Sequence, residues 1–133
     1  MPRCLMSVLA ALALAVPALV STHVQAQNLR PIPIPVQTLR GELTFGTPPE
    51  VLLNGTLIRM APGIRIKSPA NTLLLSGNLS GQKVPANYVV DNNGMLKDVW
   101  LLRDDEAARL WPTTPEEAAK WFYDPATQAW VKP

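Results

Sequence analysis

The fold is decided by residues 39–67, which read LRGELTFGTPPEVLLNGTLIRMAPGIRIK. In the first seven residues, Leu39, Leu43 and Phe45 share one face of the chain and polar residues share the other. A period of two is typical of a strand that buries one of its faces. We therefore predict a β-strand over residues 39–45.

The next feature is a hairpin centred on Asn54-Gly55, which lies between the apolar residues 51–53 and 57–58. This dipeptide favours a two-residue turn because both turn residues need positive φ. A two-residue turn fixes the register, so Glu50 is predicted to face Arg59 across the hairpin. Aliphatic residues on both of its faces indicate a hairpin that is covered on both sides or belongs to a curled sheet.

Short strands and turns continue to residue 103. Pro62-Gly63 suits the central positions of a type II turn, and residues 64–67 alternate again. About six or seven short strands at close spacing predict a mainly β fold, a small antiparallel sheet or barrel-like domain over residues 39–103. Closure into a barrel would remove exposed edges.

A second hairpin is predicted at residues 91–94, Asp-Asn-Asn-Gly. Its register is open, because two turn types are compatible with this sequence. A two-residue turn places Tyr88 opposite Val99, and a three-residue turn with a glycine bulge places Tyr88 opposite Asp98.

The chain changes character over residues 104–133, the C-terminal tail. Three acidic residues at 104–106 precede a short helical pattern, since acidic side chains stabilise a helix N-terminus. The capping box Thr114-Pro115-Glu116-Glu117 predicts a second helix from Pro115 to about Tyr123. A helix of about nine residues is too short to persist alone. These one or two short helices are therefore expected to pack on the β-domain.

Five of the eight aromatic residues lie in this tail: Trp111, Trp121, Phe122, Tyr123 and Trp130. One interpretation is that they cover an open end or face of the β-domain, because large aromatic side chains bury much area. The other is an exposed binding surface, which would stack on sugar rings of an envelope glycan or anchor a protein partner. The candidate surface consists of Trp111, Trp121, Tyr123 and Trp130, and both interpretations remain open.

The first 26 residues are typical of a secretory signal peptide. Arg3 supplies the positive charge, residues 5–20 are apolar, and Val24-Gln25-Ala26 offers a small-residue cleavage site. The apolar run contains Pro17 and is shorter than the ~20 residues that a spanning helix needs. We predict cleavage after Ala26, a periplasmic or secreted location, and no stable membrane span after cleavage. An uncleaved N-terminal anchor is the alternative.

Removal of the signal peptide restricts the chemistry of the mature chain. Cys4 and His23 are the only cysteine and histidine of the 133-residue chain, and both lie within the signal peptide, so residues 27–133 have neither. Cysteine and serine triads, zinc fingers and disulfides are then excluded. Arg3 is one of 12 Lys and Arg, which leaves eleven basic against ten acidic side chains and predicts no nucleic-acid binding.

Residues 27–38 form a proline-rich leader with Pro31, Pro33 and Pro35. Proline fixes φ and lacks an amide donor, so the leader is predicted to be extended. It either accompanies the domain or serves as a docking segment for a partner.

Two sets of charged residues are candidate sites: the acidic Asp91, Asp98, Asp104, Asp105 and Glu106, and the basic Arg59, Arg65, Lys67 and Lys83. Turn formation and helix capping account for the acidic set, and a solvated sheet face accounts for the basic set. No two acids have the spacing of a carboxylate-dependent hydrolase, the one enzyme class that this composition allows. We therefore predict no catalytic, metal-binding or cofactor-binding residues and no enzyme activity.

Several motifs resemble those of small, uncharacterised, β-rich exported proteins of Gram-negative proteobacteria: Arg40-Gly41-x-Leu43-x-Phe45, Asn54-Gly55, Met60-Ala61-Pro62-Gly63-x-Arg65-Ile66 and Asp98-Val99-Trp100. The resemblance covers residues 40–102. It implies an exported, periplasmic address, and it supplies no functional residues.

The sequence thus predicts a non-catalytic exported module that mediates protein–protein contacts in the cell envelope. The alternatives are peptidoglycan binding through the C-terminal tryptophans and, less favoured, a carboxylate-dependent hydrolase. The expected partner is an envelope protein or glycan of unknown identity.

Overall fold

The computed structural model describes residues 29–133. The predicted signal peptide lies outside the described residues. The mainly β class is confirmed. The described strands, in chain order, are β1 (Leu39–Phe45), β2 (Glu50–Leu53), β3 (Thr56–Lys67), β4 (Leu73–Leu74), β5 (Lys83–Val90), β6 (Leu96–Leu101), β7 (Phe122–Asp124) and β8 (Ala129–Val131).

Three short helices connect these strands. A 3₁₀ helix (Ser76–Leu79) lies before β5, and α1 (Asp104–Ala107) and α2 (Pro115–Lys120) lie between β6 and β7. Within residues 29–133, none of the helices has the length and apolar character needed to cross a membrane.

Five strands close into a barrel. Their order is β1-β2-β3-β6-β5 and back to β1, and every neighbouring pair is antiparallel except the parallel pair of β3 with β6. This is the strand order of the OB-fold, a five-stranded Greek-key barrel. Closure removes the free edges of an open sheet, and the two-residue β4 pairs with the end of β3.

The register of the first hairpin is confirmed. Glu50 lies opposite Arg59, and Asn54 and Gly55 have φ of 51° and 85°. The Asn54 Oδ1 also accepts a hydrogen bond of 2.9 Å from the backbone N–H of Glu42. The turn is thereby tied to β1, the strand next to the hairpin.

The predicted turn at Pro62-Gly63 is wrong, because β3 continues through it. The first half of β3 pairs with β2, the second half pairs with β6, and the register shifts between Met60 and Arg65. Gly63 takes φ of 75° inside this irregularity. Pro-Gly therefore bends the strand around the barrel instead of reversing the chain, as a bulge does.

The open register of the second hairpin is settled by the structure. Next to the turn, Val90 lies opposite Leu96 and the Asp91 N–H donates to the Met95 carbonyl oxygen at 2.8 Å, which is the register of a three-residue turn with Gly94 at φ of 77°. A register shift between Val89 and Val90 then places Tyr88 opposite Val99, the pairing that the two-residue alternative predicted. The Asp91 Oδ1 accepts hydrogen bonds from the backbone N–H groups of Asn93 and Met95, at 2.8 and 3.0 Å. Asp91 is therefore a turn residue.

The barrel interior forms the main hydrophobic core. Its fully buried members are contributed by all five barrel strands and include Leu43, Val51, Ile66, Ala86 and Val99. Leu79 of the 3₁₀ helix joins the same cluster.

Gly41 marks a close approach inside the barrel. A Cβ at this position would lie 2.9 Å from Cε1 of Tyr88 and 3.0 Å from Cδ1 of Leu53. We expect Gly41→Ala to lower the free energy of unfolding, measured by urea denaturation, by about 1–3 kcal/mol through overpacking. Gly46→Ala is the matched control, since its Cβ would meet the Glu50 carbonyl oxygen at an ordinary 3.5 Å. Equal losses in the two variants would contradict this account.

Candidate functional site

A second hydrophobic cluster lies on β6 outside the barrel core and contains the predicted aromatic surface. It joins Trp100 of β6 to Ile34 of the leader and to Trp111 and Trp130 of the tail. Trp111 and Trp130 are 7% and 8% exposed. The described part of the leader and the tail together therefore form a layer over the barrel.

All four predicted site residues belong to this cluster, and three of them make close ring contacts. The ring centroids of Trp111 lie 5.8 Å from those of Tyr123 and Trp130, and the latter two are 5.3 Å apart. The Trp111 Nε1 donates a 2.8 Å hydrogen bond to the carbonyl oxygen of Thr38. Trp111 thus connects the tail to the leader.

The end of the tail differs from the predicted helix. α2 ends at Lys120, and Trp121 is already extended, with φ of −88° and ψ of 157°. β7 and β8 then form a hairpin that was not predicted. The helix stops here because Tyr123 and Trp130, which are opposite each other in the hairpin, both join the aromatic cluster.

The outer face of this hairpin carries the exposed part of the aromatic tail. Phe122 and Val131, which are paired across the hairpin, are 72% and 55% exposed. Trp121 is half-buried, and the Nζ of Lys132 lies 5.2 Å from its ring centroid. Phe122, the most exposed aromatic residue in the described tail, was not among the predicted site residues.

A buried ion pair fixes the leader to α1. Arg30, which is 2% exposed, donates from Nε and Nη2 to the two carboxylate oxygens of Glu106, at 2.9 and 2.8 Å. Its Nη2 also donates to the carbonyl oxygen of Leu101 at 2.8 Å. Glu106 caps α1 as predicted, by accepting from the backbone N–H of Arg103 at 3.1 Å. Its pairing with Arg30 was not predicted.

The pKa of Glu106 reflects two opposing influences. Burial raises it, but hydrogen bonds from Arg30 and from the Arg103 backbone, with the charges of both arginines, hold it below its usual value of 4.5. The carboxylate is therefore ionised at neutral pH and acts as a structural anion.

Arg40 forms a second polar connection between the barrel and the tail. Its Nε donates to the Asn87 Oδ1 at 2.7 Å, and its Nη1 donates to the carbonyl oxygens of Ala107 and Arg109 at 3.2 Å. Desolvation lowers the pKa of Arg40 to about 10, partly offset by the charge of Glu106. The adjoining cavity of about 20 Å³ has the size of a single water molecule.

The remaining charged candidates lie apart from the aromatic cluster or in surface ion pairs. Over residues 29–133, no group of three His, Cys, Asp or Glu side chains could hold a metal ion. Asp105 pairs with Arg103 and Arg109, and Lys83 pairs with Glu42.

A groove of about 410 Å³, the loop groove, lies between the β1–β2 loop and the β5–β6 loop. The first loop contributes Pro48 and Pro49, and the second contributes Met95. Residues 59–62 and 64 at the bend of β3 also line the groove, together with Ser76. The loop is fixed by a 2.8 Å hydrogen bond from the Met60 N–H to the Pro49 carbonyl oxygen. Arg59 is the single charged residue of the lining.

A smaller groove of about 250 Å³, the strand groove, is lined by residues of β1, β2 and β3 and by Gly46 of the same loop. β1 and β2 contribute Thr44, Glu50 and Leu52, and Leu57 of β3, which is 61% exposed, adds an apolar surface. Glu50 is its single charged residue. The loop of residues 46–49 therefore contributes to both linings, with Pro48 and Pro49 in the loop groove and Gly46 in the strand groove.

The linings of the two grooves are similar in composition. Their linings are mainly aliphatic and proline side chains, with one cation, one carboxylate and no aromatic ring. Sequence reasoning missed them because Pro48, Pro49 and Pro62 are typical turn residues. The proline pair Pro48-Pro49, close in sequence to the aliphatic residues 51–53 and 57–58, was the available signal.

Comparison of the chain with protein-family models, with curated proteins and with solved structures finds no match.

Proposed function

We propose that this protein is a non-catalytic exported module that acts through protein–protein contacts in the cell envelope. The loop groove receives the partner, and the aromatic tail has mainly a structural role. The observation that carries this proposal is an apolar groove of about 410 Å³ between two loops of a closed barrel. Export follows from the predicted signal peptide.

The lining of the groove favours a peptide over a nucleic acid or a glycan. Bases stack on aromatic side chains and are attracted by a basic surface, and sugar rings also use aromatic platforms. The lining has no aromatic residue and a single cation. OB-fold barrels bind ligands on strands 2–3 and at the loops between strands 1 and 2 and between strands 4 and 5. This analogy supports the position of the binding site and does not indicate the kind of ligand.

The arrangement of the tail supports the same choice. Stacking on sugar requires an exposed ring face, and Trp111 and Trp130 are 7% and 8% exposed. Both rings contact each other and Tyr123 within the cluster. Protein contact therefore needs no rearrangement of the domain, whereas glycan stacking on these two rings does.

The test is selection of peptides that bind purified residues 27–133, from a random-peptide display library. Ser76→Trp places a bulky side chain in the groove lining. We expect this variant to lower its affinity for the selected peptides by about tenfold or more, which corresponds to about 1.4 kcal/mol. Asn78→Trp is the matched control, because Asn78 lies in the same 3₁₀ helix, is exposed and does not line the groove.

Circular dichroism and thermal unfolding establish that both variants are folded. Absence of any selected peptide would overturn the proposal. The proposal would also be overturned if the selected peptides bound the Ser76→Trp and Asn78→Trp variants equally well, because the peptide-binding site would then lie outside the loop groove.

A further inference from the structure

We infer that the partner of the two grooves is an extended, mainly aliphatic peptide with one acidic side chain that meets Arg59 and one basic side chain that meets Glu50. This inference rests on the proposed function, since it names the chemistry of the segment that the groove receives. It also makes the strand groove part of the same binding track.

The two grooves meet at one pair of residues. Arg59 lines the loop groove and Glu50 lines the strand groove. These residues are direct neighbours across β2 and β3. A ligand that follows both grooves must therefore pass over a cation and a carboxylate placed side by side.

Both charges are available to a ligand. Glu50 and Arg59 are exposed, and neither side chain has an ion pair or hydrogen bond within the described part of the chain. By contrast, the Nζ of Lys83 lies 2.9 Å from Oε1 of Glu42 in an equally exposed pair on β1 and β5. A partner can therefore bind Glu50 and Arg59 without breaking an existing interaction.

The register of the strands sets the spacing of charges in the ligand. Cα atoms of directly opposed residues in antiparallel strands lie about 4.5–5.5 Å apart. In an extended peptide, side chains on the same face recur every second residue, a rise of roughly 6.5–7 Å. An acidic and a basic residue separated by one position therefore fit this pair.

Apolar side chains complete the pattern on both sides. Beyond Arg59, the proline and methionine side chains of the loop groove accept aliphatic residues. Beyond Glu50, Leu52 and the exposed Leu57 do the same. The predicted motif is aliphatic, acidic, any residue, basic, aliphatic, in either chain direction.

The experiment exchanges the two charges, in the variant Glu50→Arg with Arg59→Glu. The exchange keeps the net charge and the opposite charges at the two opposed positions. Circular dichroism and thermal unfolding establish that the exchanged protein is folded. Random-peptide display is run against the natural and the exchanged protein, and the enriched peptides are then bound to both. We expect a peptide that is selected on one protein to bind the other about tenfold more weakly. The affinity should recover when the two charges of the peptide are also exchanged.

The matched control exchanges the pair on the neighbouring strands, Glu42→Lys with Lys83→Glu, which lies outside both groove linings. This control is expected to leave peptide affinity unchanged. Peptides that are displaced by Ser76→Trp but bind the natural and the exchanged protein equally would overturn the charge assignment and leave the proposed function standing. Failure to enrich any peptide would overturn both.

Discussion

Glu106→Gln is expected to lower the free energy of unfolding by about 3–5 kcal/mol, because it leaves the buried guanidinium of Arg30 without its counter-charge. The carboxylate accepts two hydrogen bonds from Arg30 and one from the Arg103 backbone. The side chains of Arg30 and Glu106 are only 1% and 8% exposed, so water cannot replace the lost charge.

Urea denaturation of residues 27–133 measures this effect, with Glu116→Gln on the exposed first turn of α2 as the control. The double variant Arg30→Met with Glu106→Leu is expected to recover most of the loss, since apolar residues of similar volume often replace a buried pair without cost. A loss below about 1 kcal/mol for Glu106→Gln, the range of surface ion pairs, would show that the pair is not buried in solution.

The same pair makes stability depend on acid pH. The pKa of Glu106 is lower in the folded protein than its usual 4.5. The pair therefore stabilises the fold above the pKa of the unfolded chain, and this stabilisation is lost as the pH falls through the folded pKa. The natural protein should lose stability below about pH 4.5, and the gap between it and Glu106→Gln should narrow over the same range.

Local turn chemistry explains what could be predicted from the sequence. Asn54-Gly55 fixes the register of the first hairpin without help from the rest of the chain, since both residues need positive φ. The observed φ of 51° and 85° and the opposition of Glu50 and Arg59 follow from it. The mainly β class follows in the same way from closely spaced turns.

Long-range packing explains what could not be predicted. Arg30 and Glu106 are 76 positions apart, and an ion pair of that separation leaves no periodic pattern. Pro62-Gly63 suggested a reversal, but the parallel neighbour β6 makes β3 continue through a bend. The loop groove escaped prediction for the same reason, because the bend of β3 brings its residues next to the β1–β2 and β5–β6 loops.

The tail shows how tertiary contacts override a local helix signal. The capping residue Thr114 starts α2 as predicted, with a 3.2 Å hydrogen bond to its Oγ1 from the Glu117 N–H. The end of the helix has no comparable local signal. Residues 122–124 form a strand instead, because Tyr123 packs in the aromatic cluster.

Trp111→Ala is expected to lower the free energy of unfolding by about 3–5 kcal/mol, the usual cost of removing a buried tryptophan. The ring lies within 5.8 Å of two other aromatic rings, and its N–H holds the leader through Thr38. Loss of this side chain would open the cluster between the barrel, the leader and the tail. Urea denaturation measures the change, with Phe122→Ala, on the exposed face of β7, as the control.

Two phenylalanine variants separate the ring of each tryptophan from its N–H group. Trp111→Phe leaves the buried carbonyl oxygen of Thr38 without its donor, which costs about 1–3 kcal/mol beyond the change in ring size. The Trp130 Nε1 has no acceptor among residues 29–133, so Trp130→Phe removes no hydrogen bond and should cost less. Equal costs would contradict the observed geometry. If the tryptophans instead formed an exposed binding surface, both variants would keep the stability of the natural protein, so stability alone distinguishes the two interpretations of the tail.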